Sequence, residues 1–74
     1  MTNGTLAVIN VITGLYRVPV MADVNRIFYV DRHDVVLVIY VNNEISNAQP
    51  STLVVVRDTL GWMMTRYLSP VILT

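Results

Sequence analysis

The chain of 74 residues contains no cysteine and no lysine, and it carries little charge of either sign: five arginines and five acidic residues. Without cysteine there is no disulfide framework, no thiolate zinc site and no cysteine nucleophile. Without lysine the chain lacks a side chain that commonly keeps exposed strand edges from pairing with strangers. Arg17, Arg26, Arg32, Arg57 and Arg66 stand singly, so no basic run offers the phosphate footprint of a nucleic-acid binder. No nucleic acid is expected as a partner.

Glycine and histidine are nearly as scarce. Gly4, Gly14 and Gly61 are isolated, which rules out a glycine-rich loop cradling a phosphate. Asp31, His33 and Asp34 gather two carboxylates and the only imidazole within four residues, groups able to bind a divalent cation or exchange protons. One tight turn supplies no cleft and no supporting shell, however. The preferred reading is a solvated turn whose Asp side chains accept backbone N–H bonds. Ser46, Ser51 and Ser69 have no nucleophile motif around them. No catalytic residue, metal or cofactor is assigned, and an enzyme is not expected.

Long apolar runs are missing too. The stretch over residues 6–12 is interrupted by Asn10, and residues 59–74 contain Arg66 and Pro70; both fall short of the ~20 apolar residues that span a bilayer. The first five residues lack the basic region of a secretory leader. The expectation is a chain that does not span a membrane, its location left open between a virion and the cytoplasm.

What is abundant is hydrophobic material, 54% of the residues against 14% charged, where an ordinary globular chain is about 25% charged. Its centre is Val35-Val36-Leu37-Val38-Ile39-Tyr40-Val41, unbroken, mostly β-branched or aromatic, and too short for a helix of its own. Strand alternation places Val35, Leu37, Ile39 and Val41 on one face and Val36, Val38 and Tyr40 on the other. Both faces are apolar. One helix on one sheet covers a single face, so the face of Val36, Val38 and Tyr40 is expected to be buried by a neighbouring subunit, a larger partner, or the N-terminal strand folded over it.

In chain order, residues 5–13 read as a strand that Gly14 ends with a bend. Residues 14–24 read as an irregular crossing, with Val20-Met21-Ala22 packed on the core and Pro19 unable to join a ladder. Residues 26–30 and 35–42 read as two strands of a hairpin joined by Asp31-Arg32-His33-Asp34 in a type I turn. Residues 43–50 read as an exposed, turn-rich link and residues 51–57 as a further core strand. Leu60, Met63, Met64, Tyr67 and Leu68 then fall at helical spacing, capped by Asp58 or Thr59 and stopped before Pro70. Trp62 lies opposite that stripe, and Val71, Ile72 and Leu73 form an apolar tail able to add an edge strand.

The expected fold is one small domain over residues 1–74, mainly β with one short C-terminal helix (α+β). Its order is β-β-β-β-α-β, in a small antiparallel sheet or partly open barrel. The expected function is a non-enzymatic structural subunit that assembles with itself or a larger protein particle, for instance a viral or phage coat, cement or head-tail component. Val36, Val38, Tyr40, Trp62, Val71 and Leu73 are its expected interface residues. The alternative is a small adaptor or inhibitor docking through a strand edge or the Trp62 surface.

Overall fold

A computed structural model describes residues 2–20, 22–42 and 50–71. Among the described residues seven strands run in the order β1 (Leu6–Ile9), β2 (Thr13–Tyr16), β3 (Arg26–Val30), β4 (Val35–Asn42), β5 (Ser51–Val56), β6 (Thr59–Met64) and β7 (Leu68–Pro70). Short 3₁₀ turns at Asp23–Asn25 and Thr65–Tyr67 precede β3 and β7. All seven strands join one antiparallel sheet in the order β3-β2-β6-β5-β4-β1-β7.

That order dictates the shape. β1 and β2 stand four strand spacings apart, about 19 Å across a flat sheet. The chain covers the gap from Ile9 to Thr13, in which four residue steps reach about 14 Å fully extended. The passage from Met64 of β6 to Leu68 of β7 faces the same shortfall. The sheet is therefore strongly curled, though it does not close: β3 and β7 remain its two edges.

The concave side holds the core. Ala7, Ile9, Leu15, Val30, Val36, Val38, Val54, Val56, Met63 and Leu68 are buried there, with Phe28 and Val41 packed at the margin. Hydroxyls that turn inward are paired, as in the 2.8 Å hydrogen bond between Thr52 Oγ1 and Thr65 Oγ1 that fastens β5 to the last 3₁₀ turn. Gly61 is needed for space. A Cβ built on it would stand 2.6 Å from Leu15 Cγ, and Leu15 is wholly buried.

Several expectations are corrected. The C-terminal helix is absent among the described residues: residues 59–64 are strand β6, and only residues 65–67 are helical, as a single 3₁₀ turn. The spacing of Met63 and Leu68 that reads as one helical stripe instead comes from a strand, a turn and a second strand, each placing one of them on the core. Leu60, assigned to that stripe, is 56% exposed. Residues 5–13 are not one strand, since the chain leaves the sheet after Ile9 and re-enters it at Thr13. Thr13–Tyr16 is strand rather than irregular crossing, and Val20 is exposed rather than packed on the core.

The hairpin is corrected as well. Both strands form, but β3 pairs only with β2, while β4 pairs with β1 and β5. Residues 31–34 carry the chain from one edge to the middle of the sheet. Their turn closes with the Asp34 N–H donating to the Asp31 carbonyl at 3.2 Å. His33, its third residue, has φ +75°, the geometry of a type II turn rather than type I. The expected link over residues 43–50 and the expected tail residues Ile72 and Leu73 lie outside the described residues, apart from Pro50.

Gly61→Ala should lower stability by about 1–3 kcal/mol, the cost of forcing a methyl into a filled core. Calorimetry or circular dichroism should register a drop in Tm of roughly 4–8 °C per kcal/mol. An unchanged Tm would mean that Leu15 can retreat.

Candidate functional site

The convex side of the sheet leaves Leu6, Val35, Leu37, Ile39, Tyr40 and Leu60 uncovered; Val11, Ile12, Val18, Val20, Val24, Ile27 and Tyr29 are exposed outside this group. On β4 the inward residues are Val36 and Val38, 1% and 0% exposed, while Val35, Leu37 and Ile39 point out. Tyr40 joins them because the register slips between Val38 and Tyr40: Val38 pairs with Val54 but Tyr40 pairs with Leu53. Ile39 is the extra residue of a bulge, and the alternation resets beyond it. The Val41 N–H donates to Asn3 Oδ1 at 3.0 Å, so a side chain from the N-terminal segment satisfies the strand just beyond the bulge.

Pairing across the strands lines up two outward rows. The first is aliphatic: Leu6 of β1 pairs with Leu37, Leu37 with Val55, and Val55 with Leu60, with Val8 opposite Val35 beside it. The second is largely aromatic: Tyr40 pairs with Leu53, Leu53 with Trp62, and Trp62 with Tyr16. Tyr40 and Trp62 meet edge to face, ring centroids 6.4 Å apart and planes at 89°, a preferred aromatic geometry. None of these outward positions carries a formal charge.

Leu6, Val35, Leu37, Ile39, Tyr40 and Leu60 each leave between 38% and 56% of their surface open. At ~150–200 Å² for a whole large apolar side chain, that is roughly 500 Å² of exposed apolar surface, within the ~300–600 Å² of the largest patch on a typical monomer, a patch that is often functional.

The expected interface residues are thus divided. Val36 and Val38 belong to the protomer's own core, because the sheet curls toward them. Tyr40 is 47% exposed and Trp62 half-buried, both on the outward aromatic row. Val71 is half-buried just past β7, its N–H donating to the Leu6 carbonyl at 3.1 Å. Leu73 lies outside the described residues. The N-terminal strand does not lie over a face: β1 pairs within the sheet between β4 and β7. The residues missed by sequence reading are Leu6, Val35, Leu37, Ile39 and Leu60 on the open side. The apolar run itself signals them, but nothing in it says which side the chain curls toward.

The acidic turn has a structural occupation. Arg57 Nη2 lies 2.8 Å from Asp34 Oδ2 and 3.7 Å from Asp31 Oδ2, and its guanidinium sits 5.7 Å over the Phe28 ring. The His33 N–H donates to the Ile9 carbonyl at 2.9 Å, and the Ile9 N–H donates to the Asp34 carbonyl at the same distance. The turn is thereby fastened to β1 on one side and to the β5–β6 turn on the other. Among the described residues no group of three or more His, Cys, Asp or Glu side chains is placed to hold a metal ion, and no helix is long and apolar enough to cross a membrane.

Comparison with protein-family models, curated proteins and solved structures finds no match.

Arg57→Ala should cost about 1 kcal/mol or less, because Arg57 is about half exposed, Asp31 is largely solvated and the ion pairs are screened. Urea unfolding at low and high salt checks this: the difference from the parent should shrink as salt rises. A loss several times larger would mean that the turn has no other anchor.

Proposed function

We propose that this chain is a non-enzymatic structural subunit that assembles by burying the convex, apolar face of its sheet against neighbouring protein. The observation that carries the reading is the pair of uncharged rows Leu6–Leu37–Leu60 and Tyr40–Trp62–Tyr16, standing outside a core that the curled sheet has already filled. A setting of this kind is a small viral or phage coat, cement or head-tail component, in which a protomer is completed by its neighbours.

The magnitudes support the reading. Removing roughly 500 Å² of apolar surface from water is favourable by about 12 kcal/mol before association costs, at ~25 cal/mol per Å². Association costs about 4–15 kcal/mol in lost translational and rotational freedom, so burial of this face is of the size that association has to supply.

The strand-edge alternative has less to work with. On β3 the register slips between Phe28 and Arg26, making Ile27 a bulge, and Arg26 folds back with its guanidinium 4.4 Å over the Tyr29 ring. The other edge, β7, is three residues long and ends on Pro70, which has no N–H to give. Short, bulged or proline-ended edges are poor templates for an incoming strand.

Light scattering behind size exclusion tests the proposal. The native mass should be a multiple of 8.4 kDa. A stable monomer across the working concentration range would remove the self-assembling form of the reading.

A further inference from the structure

We infer that Asn3-Gly4 is a site of spontaneous modification, where the side-chain amide of Asn3 is lost through a succinimide, and that two hydrogen bonds to β4 hold the reaction in check. Asn3 is the only asparagine in the chain followed by glycine. Each of the others precedes a side chain that crowds attack by the next backbone nitrogen. A Cβ built on Gly4 would meet nothing within 4 Å, and both residues are exposed to the water that the reaction consumes.

The Gly4 amide nitrogen loses its proton and attacks Asn3 Cγ. The new N–C bond closes a five-membered ring as the bond from Cγ to Nδ2 breaks and ammonia leaves. Water then opens the imide at either carbonyl. Cleavage between the nitrogen and Cγ gives aspartate, and cleavage between the nitrogen and the main-chain carbonyl gives isoaspartate, in which the chain continues through the former side chain. One water enters, one ammonia departs, and no oxidant or reductant takes part.

The fold occupies both reacting groups. The Gly4 N–H donates to the Val38 carbonyl at 2.7 Å, and Asn3 Oδ1 accepts from the Val41 N–H at 3.0 Å. Ring closure needs the first bond broken and the side chain turned back on its own backbone, so the reaction runs from the fraction of molecules in which residues 3 and 4 have lifted from β4. The two anchor points straddle Ile39 and Tyr40, the bulge and the residue it turns outward. Aspartate at position 3 keeps an acceptor for the Val41 N–H. Isoaspartate instead moves a methylene from side chain to backbone. The same segment then no longer fits both anchors, and the bulge loses its tie beside the Tyr40–Trp62 contact.

Mass spectrometry with peptide mapping tests this on the full chain, held in mildly alkaline buffer with and without unfolding urea. Asn3 should convert to a mixture of aspartate and isoaspartate ahead of every other asparagine. Conversion should run roughly tenfold or more slowly in the folded protein than in urea. Asn3→Gln, whose longer side chain does not close the five-membered ring, should abolish conversion at this position. Asn3→Asp should keep the Tm of the parent and the emission of its only tryptophan, Trp62, whereas the purified isoaspartate form should melt lower and emit at a shifted wavelength. Reaction of another asparagine while Asn3 stays intact would overturn the site, and equal rates with and without urea would overturn its control by the fold. An isoaspartate form that melts and emits like Asn3→Asp would overturn the link to the bulge.

Discussion

Connection length is the constraint from which the rest of the structure follows. Three residues take the chain from β1 to β2, three from β6 to β7 and four from β3 to β4, each time across four strand spacings. No flat sheet permits any of these steps. Curling the sheet shortens all three at once, and it also decides which side becomes the interior. Leu15 closes that interior by lying against the bare backbone of Gly61, and Met63 and Val54 fill in beside it. The fold reaches a filled core by bending one layer back on itself rather than by laying a helix on a sheet.

The curl explains why the two sides of β4 have opposite fates despite nearly equal hydrophobicity. Val36 and Val38 face the inside of the bend and vanish from solvent; Val35 and Leu37 face the outside and remain open. The bulge at Ile39 then turns Tyr40 outward and Val41 inward, against strict alternation. Asn3 supplies the acceptor for the Val41 N–H, so the reset leaves that backbone group satisfied.

Strand-forming segments were legible in the residues wherever β-branched side chains run together. β3, β4 and β5 fall where Ile27-Phe28-Tyr29-Val30, residues 35–42 and residues 51–56 announce them. Pairing was not legible, because a polar four-residue link is compatible with a hairpin and with a crossing alike. Only the competition for β4 by β1 and β5 decides between them. The false helix over residues 60–68 has a related cause. Six residues of strand, a 3₁₀ turn and a second strand happened to repeat large apolar side chains at intervals of three and four. The surplus of apolar strand surface was readable from composition; its address on the molecule depended on the direction of the bend and on one extra residue in β4.

The turn between β5 and β6 is unlike every other connection in the sheet. Arg57 and Asp58 both adopt left-handed backbone angles, φ +51° and +61°, and so form a two-residue turn of the type that matches strand twist. β2 with β3 and β4 with β5 also pair consecutive strands, but across eight or nine intervening residues, and the remaining pairings join segments distant in the chain, down to β1 and β7. Loop closure costs least at this turn, so the β5–β6 ribbon is the natural nucleus on which the slower, long-range strands condense. Leu60 and Trp62 ride on that ribbon, so both outward rows take one member from the two strands whose joining costs the least chain entropy.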